Sequence, residues 1–311
     1  MAMRELTPDS SGLIRRRDVI AAGVVDDWSL AAATRDGDLD RLYRGVYALS
    51  MSDSSHAALD ERYLSRVHAA VSMGEPGKVV SHHSAAALHR LPTLGRTDAL
   101  HFSVNRRSGG RRKQRAFVLH ATPWEPDEVT MVDGIAVTSM ARTAIDVSRS
   151  GTFVEAVTVL DGTLRRSVSP EELLAVSDRG RRRVGAPVAR RALAIADGRS
   201  ESVGESVSRA LMRGFTDVPV PDLQVDYVIG FDGRIARVDF DWGGVLVGEF
   251  DGRTKYGRDG DSADDVWREK VREDALRDLG LVVIRWTWDD LMHPERFHAL
   301  LLRGLRRAGL I

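Results

Sequence analysis

Arg237-Val238-Asp239-Phe240-Asp241-Trp242, then Gly243-Gly244, then Val245-Leu246-Val247-Gly248-Glu249-Phe250-Asp251-Gly252, is the stretch on which the reading of this chain turns. Apolar residues alternate with acids on both sides of a glycine pair, the pattern of two strands joined by a tight turn. Glu249 and Asp251 are two apart on one strand and therefore share a face of the sheet. Pairing through the turn brings Asp239 beside Glu249 or Asp251. Three carboxylates flanked by Val238, Phe240, Val247 and Phe250 are costly to group unless a cation neutralises them. The expectation is a site for Mg2+ (or Mn2+), ions that take hard oxygen ligands and lower the pKa of an attacking water. Asp241 shares the side of Asp239 but lies nearer the turn, and ranks below it.

Working outward, residues 201–213 read as a helix with Val203, Val207 and Leu211 on one face. Glu205 is spaced to pair with Arg209, but a helix laid along the sheet edge would turn it into the metal cleft, with Glu201 as the alternative. Strands are predicted at 224–229, 235–241 and 245–251. A helix at 264–279, stopped by Gly280, a strand at 281–287 and a helix at 294–305 follow. The last strand returns after a helical crossover, so it should run parallel to a neighbour. The order helix, three strands, helix, strand is that of a nuclease core.

At the other end, residues 16–22 read as a helix stopped by Gly23, and a second helix starts near Asp26. Leu39, Arg41 and Tyr43 then alternate into a turn at Arg44-Gly45 followed by Val46, Tyr47 and Leu49, a hairpin. Helix, helix, hairpin is the order of a winged helix-turn-helix, whose second helix is offered to the major groove. Between the two ends, 55–196 reads as an α/β segment, with strands at 101–105 and 116–120 around a basic, Gly-containing loop. Arg142 and Asp146 are spaced as an intrahelical pair. Residues 106–115 hold six basic side chains and no acid, as do residues 179–191. His82, His83, His89, His101 and His120 match no ligand spacing with a carboxylate and are read as structural.

Two resemblances rest on these motifs. Gly12-Leu13-Ile14-Arg15-Arg16 and Leu39-Asp40-Arg41-Leu42-Tyr43-Arg44-Gly45-Val46-Tyr47 are similar to the opening and closing motifs of the winged-helix domain of AbiEi antitoxins. That implies DNA binding, often at an operator, with a cognate toxin or other protein as partner. Val238 to Trp242, Glu249-Phe250-Asp251-Gly252 and the run from Arg272 to Trp288 resemble the nuclease domain akin to very-short-patch-repair endonucleases, of PD-(D/E)XK type. This second resemblance implies Asp239, Glu249 and Asp251 as metal ligands and Glu205 as the helix carboxylate of the same core. Where many relatives carry histidine after the E-x-D-G turn, this chain has Lys255-Tyr256. Lys255 is either the charge-stabilising lysine of the core or an ordinary solvated one.

The fold class expected is therefore mixed α/β: a winged helix-turn-helix at 1–52, an α/β middle segment at 53–198 and a restriction-endonuclease-like domain at 199–311. The absence of cysteine excludes disulfides, zinc ribbons and thiol nucleophiles. No apolar run approaches a membrane span and no leader pattern opens the chain, so a cytoplasmic protein with no membrane contact is expected. A net charge of zero argues against a wholly basic nucleic-acid binder, leaving local clusters, with Arg35, Arg41, Arg44, Arg111 and Arg112 as candidate DNA contacts. Two functions compete: a metal-dependent DNA endonuclease in phage defence or repair, and a non-catalytic transcriptional regulator resembling a type IV antitoxin.

Overall fold

The computed structural model describes residues 6–51, 53, 55–74, 77–95, 98–106, 111–114, 117–230, 233–252 and 263–311. It is a mixed α/β structure in two units, one of residues 1–91 and 96–143, the other of 92–95 and 144–311.

The first unit opens with a winged-helix-like fold. Strand β1 (Ile14–Arg15) leads into α1 (Arg16–Ala21) and α2 (Asp27–Arg35), and β2 (Leu39–Tyr43) and β3 (Val46–Leu49) form the wing. The sheet runs β1-β3-β2, and Gly45 turns the wing at φ +77°, a backbone angle that glycine adopts without steric cost. Asp26 caps α2, its carboxylate accepting the Ser29 N–H at 2.8 Å. Ile14, Leu30, Leu39 and Tyr47 close a small core beneath them.

A second sheet follows α3 (His56–Ser72). Strand β4 (Val79–Val80), α4 (His82–Leu88), β5 (Leu100–Val104), β6 (Arg111–Gln114), β7 (Phe117–Ala121), β8 (Val129–Val132) and β9 (Ile135–Thr138) succeed one another before α5 (Met140–Ser150). Six strands order as β6-β7-β5-β4-β9-β8, with β5 parallel to β7 and β4 parallel to β9. Two features go beyond what the sequence pattern predicts. The basic stretch, expected to be a loop, contains β6, paired antiparallel to β7. Asp133 and Gly134, both at positive φ, turn β8 into β9, a hairpin closed by an Asp-Gly pair. Arg142 reaches the buried Glu128 at 2.8 Å.

In the second unit α6 (Phe153–Arg165), α7 (Pro170–Arg179) and α8 (Ala186–Leu193) precede α9 (Val203–Met212). Then come β10 (Asp222–Ile229), β11 (Arg234–Trp242), β12 (Leu246–Asp251), α10 (Ala263–Asp278), β13 (Val282–Thr287), α11 (Trp288–Leu291) and α12 (Pro294–Arg307). The sheet order is β10-β11-β12-β13, antiparallel until β13, which runs parallel to β12. Where the sequence suggested a middle segment ending at 198, α6 to α8 lie in the same unit as this sheet. Arg209 of α9 ties them to it through a buried ion pair with Asp161 of α6.

The sheet has a core on each face. Val207, Phe240, Trp242, Leu246, Trp286, Phe297 and Leu301 fill one, against α9 and α12. Val238, Val247, Leu276 and Leu281 fill the other, against α10. Each such buried side chain contributes roughly 1.5–3 kcal/mol. The Trp286 indole N–H donates to Ser208 Oγ at 2.7 Å, so the polar atom is satisfied inside the core. Gly204 lets α9 approach the sheet closely, since a Cβ there would lie 1.9 Å from the Phe250 ring. Among the described residues no helix is long and apolar enough to cross a membrane.

Candidate metal and nucleic-acid sites

Asp239 sits where the C-terminal sheet is broken. The ladder between β11 and β12 runs through Trp242↔Leu246, Asp241↔Val247 and Phe240↔Gly248. At the next step the Phe250 N–H is taken by Asp239 Oδ2 at 2.8 Å. Val238 and Phe240, two apart, pack into opposite cores, so strand alternation fails at Asp239. The irregularity is matched across the sheet. Leu223 pairs with Phe240 and Val225 with Val238, and Gln224 between them has φ +56°.

Gln224 joins the two nearest acids. Its Nε2 donates to Glu205 Oε2 at 2.9 Å and to Asp239 Oδ1 at 3.4 Å. Glu205 lies in the first turn of α9, where Ser202 Oγ accepts its N–H and its carboxylate accepts the Glu201 N–H at 2.8 Å. It is 7% exposed. Burial pushes the Asp239 carboxyl up to about 6, and the charges of Glu205 and Glu249 push the same way, against the lowering effect of the Phe250 N–H.

Glu249 is held differently. Arg272 and Arg285 each approach it at 2.7 Å, and Arg285 also pairs with Glu269 and Glu273. Asp251 stands at the partly exposed end of β12, level with Thr287. Asp241 accepts the Tyr227 hydroxyl at 2.8 Å and the Gly244 N–H, which fixes the turn. The expected cluster of Asp239, Glu249 and Asp251 does not close: among the described residues no three acids bring their oxygens within 4.8 Å of one another. The structure brings Asp239 and Glu205 together instead. Arg209, the expected partner of Glu205, bonds Asp161, and Glu201 lies 3.8 Å from Arg237. Lys255 lies outside the described residues.

On the winged-helix-like part, Arg41 of β2 and Arg44 at the wing turn are exposed. Arg35, in the last turn of α2, is also exposed, 3.9 Å from Asp36. The acids that open α2 are engaged, Asp26 as the cap and Asp27 with Arg16 at 2.6 Å. Trp28 on the same helix is 74% exposed. Arg111 and Arg112 lie on β6; their side chains are outside the described set.

Residues 1–50 match the family described as "Transcriptional regulator, AbiEi antitoxin". Over 291 residues the chain is 30% identical to the uncharacterized protein Rv2248 of Mycobacterium tuberculosis (strain H37Rv), an alignment covering 90% of this chain and 97% of the relative. The uncharacterized protein MT2308 of strain CDC 1551 matches with the same identity and coverage. The chain belongs to the family of these mycobacterial proteins. The crystal structure of the RV2827C protein from the same species aligns with a TM-score of 0.39 at 14% identity, over 62% of this chain and 73% of that one.

This family member also carries a cluster that the sequence pattern does not reveal. His82, His101 and His120, read as structural, bring ring nitrogens within 4.8 Å of one another. Consecutive members are 19 residues apart, on α4, β5 and β7, and no local spacing marks them as a set.

Proposed function

We propose that this protein binds DNA through its winged-helix-like segment and cleaves it with a Mg2+- or Mn2+-dependent endonuclease core of PD-(D/E)XK type in the C-terminal unit, acting in phage defence or DNA repair. The observation that carries the reading is the Asp239 carboxyl, pushed up to about 6 at the break between β11 and β12, with Glu205 one amide away. A half-buried carboxyl whose proton affinity is raised by burial and by a neighbouring carboxylate is what a divalent cation relieves. The donors are oxygens, which suits Mg2+ or Mn2+. Asp239 and Glu205 would hold the ion, and Glu249 and Asp251 border the site from β12.

When bound, the ion supplies a nucleophilic water and stabilises the leaving oxygen. The chain supplies the rest. Gln224 orients the two carboxylates, and the Phe250 N–H fixes the outer oxygen of Asp239. Exposed Arg41 and Arg44 on the wing suit phosphate contacts, which position without reading sequence. The test is nicking of supercoiled plasmid with Mg2+ or Mn2+, wild type beside Asp239→Ala. Nicking that falls at least about 100-fold in the variant is expected, since a metal ligand acts on the chemical step itself. Equal nicking by both would place the activity in a contaminant.

A second reading is favoured by the grip of Arg272 and Arg285 on Glu249, which neutralises one carboxylate without any ion. In that reading the protein is a non-catalytic DNA-binding regulator with a toxin as partner. Metal-independent DNA binding with no nicking by wild type would select it.

A further inference from the structure

Three imidazoles from separate elements meet in the six-stranded sheet of the first unit. His82 begins α4, His101 is in β5 and His120 in the parallel neighbour β7. Their ring nitrogens lie within 4.8 Å of one another, and His101 Nδ1 stands 3.0 Å from His120 Nε2. The rings of His82 and His120 stack at 3.7 Å. His82 and His101 are buried and His120 half-buried.

The surroundings hold this group in place. His82 has φ +52°, a left-handed backbone uncommon outside glycine, and such an angle persists only where neighbours over-determine it. Here the Ser81 N–H donates to the His101 carbonyl at 3.0 Å and the His101 N–H donates to Ser84 Oγ at 2.8 Å. Tyr63 Oη lies 2.8 Å from Ser84 Oγ and donates to the Ala99 carbonyl. The start of α4 is thus clamped to β5 on both sides of the histidine. Ser81 Oγ lies 3.1 Å from His82 Nδ1, a contact in which either atom can donate.

We propose that His82, His101 and His120 bind a divalent transition-metal ion of the zinc class, with one coordination position left for water or an exogenous ligand. One of the two facing nitrogens of His101 and His120 carries the proton of their 3.0 Å contact, and an ion bound by both displaces that proton. Nitrogen ligands select zinc, cobalt, nickel or copper over Mg2+ and Ca2+. Zn–N bonds of about 2.0–2.1 Å place tetrahedral nitrogens roughly 3.3 Å apart, so the His101–His120 nitrogens stand near the needed separation, and the stacked rings of His82 and His120 must turn out of the stack to aim at one ion. Three histidines with a fourth position open is the arrangement of exchangeable rather than closed structural zinc sites.

The full chain, stripped with EDTA, is titrated with Co2+ and followed by ligand-field absorption, then back-titrated with Zn2+. One equivalent with the intense visible bands of four-coordinate cobalt is expected, displaced by Zn2+ and unaffected by excess Mg2+. His82→Gln and His120→Gln should each lose at least about 100-fold in affinity, more than removal of a supporting outer contact costs. The intense band of four-coordinate cobalt, which an octahedral all-oxygen site does not give, separates this site from the carboxylates of the other unit. Absence of the band in wild type overturns the proposal, as does a band that persists in both histidine variants. Should a variant fail to fold, as judged by circular dichroism in EDTA, X-ray absorption of the Zn2+-loaded wild type decides. Three imidazole shells support the site, and an oxygen-only shell refutes it.

Discussion

The two groups of ligand-type side chains in this chain are opposite in character. In the C-terminal sheet the acids announce themselves in sequence, two on one strand and one across a glycine turn. There the structure gives them different partners: Glu249 on Arg272 and Arg285, Asp239 against Glu205 and Gln224. In the first unit the histidines carry no motif, yet three strand and helix positions spaced 19 residues apart converge. Same-face spacing is a local property and can be read. Convergence depends on strand register, on where a ladder breaks and on which distant charges compete for a side chain.

The largest expected effect is that of Gly204→Ala. The added Cβ falls 1.9 Å from the Phe250 ring, so α9 must move off the sheet, at a cost of about 3 kcal/mol. Thermal unfolding should show loss of stability, and metal binding by the carboxylates should weaken. The histidine group, in the other unit, should keep its Co2+ spectrum. Loss of both at once would show that the two groups are not independent.

Asp239→Asn comes next. The folded carboxyl titrates at about 6 against 3.8 in the unfolded chain, so the native state binds the extra proton between those values. Stability therefore falls as pH rises from about 4 to about 6 and stays reduced above, by about 3 kcal/mol. The asparagine variant should lose this slope and be more stable than wild type at pH 7 by about that amount, in urea melts across the range. Metal affinity in wild type should run the other way and weaken below pH 6 as the proton competes. An unchanged slope in the variant would remove the claim that Asp239 is the strained acid.

The smallest expected effect is on the wing. If Arg41 and Arg44 touch phosphates, Arg41→Gln together with Arg44→Gln should flatten the plot of log affinity against log salt by about 0.9 for each phosphate no longer neutralised. An unaltered slope, measured by fluorescence anisotropy on duplex DNA, would turn the winged-helix-like segment toward protein contact.

Much of the fold is legible in the sequence. The Asp26 cap, the wing turn at Gly45, the order of C-terminal elements and the parallel return of β13 all follow from local pattern. Strand β6 is not, because its run of Arg and Lys lacks apolar alternation, and the Asp133-Gly134 hairpin is masked by the weak strands on either side of it. Of the candidate site, identities are readable and partnerships are not. The spacing of Glu205 to Arg209 suggests a surface pair, but Asp161, 48 residues upstream of Arg209, takes the arginine. Strand parity aligns Asp239 with Glu249, but parity fails at the residue where Val238 and Phe240 turn to opposite cores. Local spacing cannot foresee a break that two strands make together.

The notch around Asp239 and Glu205, rather than the arginine-held Glu249, is the proposed seat of a divalent metal. Calorimetric titration of Mn2+ into wild type, Asp239→Asn, Glu205→Gln and Glu249→Gln tests that assignment most directly. One Mn2+ is expected for wild type and no measurable binding for Asp239→Asn. A loss of at least about 10-fold is expected for Glu205→Gln and a smaller one for Glu249→Gln, in keeping with removal of a ligand against a bordering charge. Mn2+ binding of wild-type affinity in both Asp239→Asn and Glu205→Gln would contradict it.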